Sequence, residues 1–83
     1  LLKEAFTMIT VQISLNSIDK VKSFVNAITQ FDFDFDLISG RYVIDAKSIM
    51  GIFSLDLSKP IDLKIHAEEN KDEVMEVIKP YLV

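Results

Sequence analysis

Phe31-Asp32-Phe33-Asp34-Phe35-Asp36-Leu37 decides the fold of this 83-residue chain. A large apolar residue fills every second place, and an aspartate fills each place between. Successive side chains of a strand point to opposite faces. Phe31, Phe33, Phe35 and Leu37 therefore point one way, and the three aspartates the other. One apolar face and one wet face predict a strand, Phe31 to Leu37, in an antiparallel sheet covered on one side only.

The neighbouring segments supply the rest of that sheet and its cover. Ser39-Gly40 reads as a tight turn, with Gly40 free to take a positive φ, and Arg41 to Ile44 returns as a hairpin strand. Upstream, Thr7 to Ser14 alternates apolar Ile9, Val11 and Ile13 with Met8, Thr10 and Gln12, and reads as a first strand. Downstream, Ile61, Leu63 and Ile65 alternate with Asp62, Lys64 and His66 as a fourth. The helices show the other period. Ile18, Val21, Phe24, Val25 and Ile28 recur at steps of three and four behind a cap at Asn16 or Ser17. Asp45 is placed to cap a short helix over Lys47 to Phe53. Asn70 and Glu73 resemble a capping box ahead of Val74, Val77, Ile78 and Tyr81, with Pro80 limiting the extension. The order is β-α-β-β-α-β-α. The expected class is α+β: an open-faced sandwich with a four-stranded antiparallel sheet and three helices on one face.

Composition sets bounds on function. Hydrophobic residues at 49% and charged residues at 27% describe one ordinary globular domain and exclude a disordered chain. Nine Lys and Arg against 13 Asp and Glu give 9 − 13 = −4, which argues against nucleic-acid binding driven by basic patches. Without Cys, disulfides and thiolate metal sites are impossible, and a lone His gives no zinc cluster. We expect no metal and no cofactor. No apolar run reaches the roughly 18 residues that span a bilayer, and Leu1 to Met8, with Lys3 and Glu4, lacks the core of a signal peptide. The expected organisation is an extension or strand start over residues 1–7 ahead of a domain over 8–83. The expected location is the cytoplasm, without membrane insertion.

Few residues carry chemistry. Asp32, Asp34 and Asp36 have the spacing that opens a calcium loop, but the sixth place holds Leu37 instead of Gly and the twelfth holds Val43 instead of Glu. They read as a solvated sheet face. His66 shares the polar side of its strand with Asp62 and Lys64 and has no recognisable triad partner, so it reads as a surface histidine. Two Gly cannot make a phosphate-binding glycine loop. Nothing marks a catalytic centre, and the expectation is a protein that is not an enzyme.

The informative stretch is Lys47-Ser48-Ile49-Met50-Gly51. Ser48 falls near a helix start, where the backbone dipoles favour an anion. A phosphate there would add about −1.5 to −2 charges. Ile49, Met50, Ile52 and Phe53 are too many apolar side chains for one buried stripe on so short a helix, so some are expected at the surface beside Ser48, where exposed apolar clusters mark partner sites. The competing reading is a simply packed helix in which Ser48 is a cap.

That stretch, the Gly40-Arg41 turn, Ala67-Glu68 after the fourth strand and the element order together resemble the HPr family, the histidine-containing phosphocarriers of the bacterial sugar phosphotransferase system. The resemblance spans Thr10 to Leu82. It implies that Ser48 is the family's regulatory serine, phosphorylated by an ATP-dependent kinase to form a corepressor in carbon catabolite regulation. It also implies a partner-docking surface at Lys47, Ile49, Met50 and Phe53. The family places its phospho-accepting His at the start of the first helix, in a Gly-Leu-His-Ala-Arg-Pro-Ala type motif. Here that segment aligns with Leu15 to Val21, with Ser17 at the His position and Asp19 at the Arg position. Asp19 would repel a phosphate that the Arg would hold. This pattern is similar to that of the catabolite-repression HPr-like proteins.

The resulting expectation is a regulatory protein-binding module modified at Ser48, with a serine kinase, a transcriptional regulator or phosphotransferase-system proteins as partners. Two alternatives stand beside it. One is a phosphocarrier with a non-standard acceptor, for which His66 is the available imidazole. The other is a diverged partner-binding domain unconnected with sugar transport.

Overall fold

The computed structural model describes residues 7–67 and 70–83. The elements are β1 (Thr7–Ile13), α1 (Ile18–Ile28), β2 (Phe35–Ser39), β3 (Tyr42–Asp45), α2 (Ile49–Phe53), β4 (Ile61–Ala67) and α3 (Lys71–Ile78), closed by a 3-10 turn over Lys79–Tyr81. The expected extension at 1–7 lies, apart from Thr7, outside the described residues, as does Glu68.

The four strands form one antiparallel sheet in the order β1-β4-β2-β3. Register explains which face is buried. Ile13 lies opposite Ile61, Val11 opposite Leu63 and Ile9 opposite Ile65. Phe35 and Leu37 meet Ile65 and Leu63 from the other side of β4. These rows face the helices, whose buried residues are Val21, Phe24, Val25 and Ile28 on α1, Ile52 on α2, and Val74 and Ile78 on α3. All three helices thus cover one sheet face, as the alternation requires. Each fully buried side chain of this size contributes about 1.5–3 kcal/mol. Tyr81 joins the outer helices: its ring meets Phe24 edge-on at 5.4 Å, and its hydroxyl is 2.7 Å from Ser23 Oγ.

Four expectations need correction. The strand expected over Phe31–Leu37 pairs only from Phe35. Phe31 and Phe33 are still buried and stack with Phe35 at 5.5–6.0 Å. Alternation reports the side on which a side chain lies, not whether a neighbouring strand is there to bond. Among the described residues, the β2–β4 contact continues past Phe35 only through the His66 amide, which donates to the Asp34 carbonyl at 2.9 Å. Beyond it, the Lys47 ammonium takes over, donating to the Phe31 and Phe33 carbonyls at 2.6 and 3.0 Å.

Ile18, expected on the buried stripe of α1, is 61% exposed. It is the first residue after the cap and reaches past the end of the core. Asp45 does not cap α2: its Oδ1 accepts from the Lys47 amide two residues on, making a turn, and Ser48 caps instead. The capping box at Asn70 does not form. Asn70 sits in the left-handed region at φ 59°, whereas a side-chain cap needs extended backbone, and its side chain makes no capping bond.

Candidate functional site

Two serines begin two helices. Ser17 has extended backbone (φ −150°, ψ 157°), and its Oγ accepts from the Lys20 amide at 3.1 Å. This satisfies one of the donors that a helix start leaves open. Asp19 occupies the first turn behind it. Ser48 repeats the arrangement on α2, its Oγ accepting from the Gly51 amide at 3.1 Å. Ser48 is half-buried and Ser17 is exposed.

Gly51 has a steric role that the motif alone did not reveal. A Cβ there would stand 3.2 Å from Ser48 Oγ and 3.4 Å from Ile44 Cδ1. The bare α-carbon lets α2 close on β3 while leaving the serine hydroxyl in place.

The apolar residues of α2 divide as a five-residue helix must. Ile52 alone is buried; Ile49 and Phe53 are partly open, and Met50 is 83% exposed. Phe53 lines a shallow cleft together with Asn16, Ser17, Ile18, Leu57 and Ser58. The cleft joins the start of α1 to the end of α2 and the segment after it. Ile18 and Leu57 belong to it and were not identified from sequence. A clue existed in Ile18, a first-turn apolar residue directly after a capping serine. At the cleft's rim, the Ser58 hydroxyl and amide both donate to Asp56 Oδ1, at 2.6 and 3.1 Å. These bonds hold the Asp56 carboxyl below the ordinary carboxylate range, the hydroxyl's being the larger effect.

Lys47 is turned inward. Besides bonding the two carbonyls, its ammonium lies 5.6 Å from the centre of the Phe35 ring. His66 is on the opposite, open face of the sheet. Its Nε2 is 2.8 Å from Asp36 Oδ2, the two side chains each 30% exposed. Sequence gave His66 no partner because Asp36 is 30 residues away and meets it only across the β2–β4 register. Asp32 and Asp34 are exposed on the chain leading into β2. Among the described residues, no three His, Asp or Glu side chains are grouped to hold a metal ion, and no helix is long and apolar enough to cross a membrane.

The family model described as the PTS HPr component phosphorylation site matches residues 19–82. The chain belongs to the HPr family. The HPr family is one of phosphocarriers acting with other proteins of the phosphotransferase system, not of enzymes. Solved HPr structures agree with the fold. A phosphocarrier protein HPr from Bacillus anthracis str. Ames superposes with a TM-score of 0.68 at 25% identity, covering 96% of this chain and 100% of that one. HPr-C-His from Thermoanaerobacter tengcongensis gives 0.65 at 24% identity, over 89% and 88%, and speaks for the fold alone. No curated protein sequence matches the chain. The family match contains Ser48 and begins at Asp19, two residues after Ser17.

Proposed function

We propose that this HPr-family chain is a regulatory protein-binding module, modified at Ser48, and not a phosphohistidine relay. The observation that carries the reading is the contrast between the two helix starts. Relay between proteins needs a labile N–P bond at the first helix, held by an adjacent cation. The residues there are Ser17 and Asp19, a hydroxyl and a like charge. At the second helix, Ser48 is half-buried and is followed by exposed Ile49 and Met50, with Phe53 exposed at the helix end. A phosphate on Ser48 would replace a capping hydroxyl by a group of about −1.5 to −2 charges. It would do so without entering the core, because Ile52 alone anchors that helix inside. Ile49, Met50 and Phe53 would then present an apolar surface beside the new charge, and Ile18 and Leu57 would extend it across the cleft. A transcriptional regulator or another phosphotransferase-system protein is the partner class this surface suits, and the cytoplasm is the matching compartment.

The test is direct. Incubation with the family's serine kinase and ATP should add one phosphate, lost in Ser48→Ala and retained in Ser17→Ala. Incubation with phosphoenolpyruvate and the general phosphotransferase-system enzymes should leave no acid-labile label. Failure of Ser48 to accept phosphate would remove the proposal, and acid-labile label on His66 would replace it with the relay reading.

A further inference from the structure

The turn from β3 into α2 carries Ser48, and its ties to the sheet run through the two residues before the serine. Three carbonyls of the chain entering β2 are bonded from there. The Ala46 amide donates to Phe35 at 2.8 Å, and the Lys47 ammonium donates to Phe31 and Phe33 at 2.6 and 3.0 Å. β3 ends at Asp45. The ammonium therefore does for Phe31 and Phe33 what further amides of a longer strand would do. Its charge makes these the stronger kind of hydrogen bond. The chain can then leave the sheet at Lys47 and begin α2 behind Ser48.

The remaining bonds of the turn are local. The Lys47 amide donates to Asp45 Oδ1 at 2.9 Å, and the Ser48 amide donates to the Asp45 carbonyl at 3.0 Å. They fold the turn back on the end of β3. Among the described residues, the hydrogen bonds that reach from Ala46–Ser48 across to the start of β2 are those of the Ala46 amide and the Lys47 side chain. On the far side, α2 has five residues and a single buried side chain, Ile52. So short a helix cannot hold Ser48 in place by its own packing. Lys47 is joined to Ser48 by one planar peptide, so a shift of the lysine is handed directly to the serine.

We propose, resting on the reading of Ser48 as the modified residue, that Lys47 is a positioning residue for its phosphorylation. Lys47 acts through the placement of the serine, not as a charge offered to a partner. In the transfer, Ser48 Oγ forms a bond to the γ-phosphorus of ATP and the bond from that phosphorus to the bridging oxygen breaks. ADP leaves, and the hydroxyl proton passes to a base of the kinase. The Oγ is already oriented, accepting from the Gly51 amide at 3.1 Å. In-line transfer tolerates little displacement of the attacking oxygen.

Lys47→Met keeps the stem and removes the donors, whereas Lys47→Arg keeps both charge and donors. Both are assayed with the serine kinase and ATP at a temperature where circular dichroism shows them folded. Lys47→Met should lower kcat at least about tenfold with KM changed less than about twofold. Lys47→Arg should recover most of kcat, and Lys47→Gln, a shorter neutral donor, should fall between the two. A contact with the kinase surface would instead raise KM and leave kcat unchanged. In the unphosphorylated protein, the Ser48 and Gly51 amides should exchange at least about tenfold faster in Lys47→Met, while the Lys20 amide behind the Ser17 cap keeps its wild-type rate. If Lys47→Met and Lys47→Gln are phosphorylated at Ser48 with unchanged kcat, the positioning role is overturned and the Ser48 reading stands. A wild-type chain that takes no phosphate would end both.

Discussion

The starts of α1 and α2 are capped in the same way and surrounded differently. In each, a serine Oγ accepts from the amide three residues on at 3.1 Å. Behind Ser17 stand an acid and an 11-residue helix with four buried anchors; behind Ser48 stand a glycine and a five-residue helix with one. A capping bond therefore says where a helix begins and nothing about what its first turn does. The residues after the cap make one start a firmly packed piece of scaffold and the other a thinly rooted surface.

The difference in rooting gives the largest expected effects. Phe24→Ala should cost about 3–5 kcal/mol in denaturant melts, enough to threaten a domain of this size. Ile52→Ala should cost about 2–5 kcal/mol, because the only buried side chain of α2 is lost. If Ile52→Ala proves as mild as a surface change, α2 is not rooted as described.

Next come the caps themselves. Ser17→Ala and Ser48→Ala should each lower stability by about 0.5–2 kcal/mol. The loss at Ser17 should spread through α1, and that at Ser48 should stay local, a contrast that amide hydrogen exchange reads directly. Equal spreading from both would erase the distinction between the two starts.

Smaller still is the change at the exposed apolar surface. Met50→Asp should alter stability by no more than about 0.5 kcal/mol while weakening partner binding. A large loss of stability would mean that Met50 is packed in solution.

The smallest effect lies at the cleft rim. The carboxyl of Asp56 is held low by Ser58, so the unfolded chain binds its proton more readily. Its contribution is complete above the ordinary carboxylate range and disappears as pH falls through the lowered folded value. Ser58→Ala should move the Asp56 titration back up, as seen by carbon-detected NMR, and flatten this acid-side slope.

Most of the architecture was legible because apolar period and strand pairing coincide over β1, β4 and the second half of Phe31–Leu37. They part at Phe31 to Phe33, where among the described residues Lys47 supplies the carbonyl bonds, and no local pattern encodes a contact across 14 to 16 residues. Ile18 misled for a similar reason: helical spacing places it on a face but does not tell where the core stops. At the site, the position of Ser48 was readable from its motif. The spacing role of Gly51 was not, since it depends on Ile44 of a neighbouring strand. The His66–Asp36 contact is likewise a product of sheet register.

Lys47 and Ser48 are adjacent in the chain and serve opposite sides of it. The lysine's charge is engaged by two carbonyls of the chain leading into β2. A protein approaching this corner therefore meets a hydroxyl and hydrocarbon, with the preceding positive charge already in use. On the proposed reading, recognition here would work by shape and by the charge that a phosphate on Ser48 would bring. Taking Lys47 as the reader's handle would mean first loosening the entrance to the second strand.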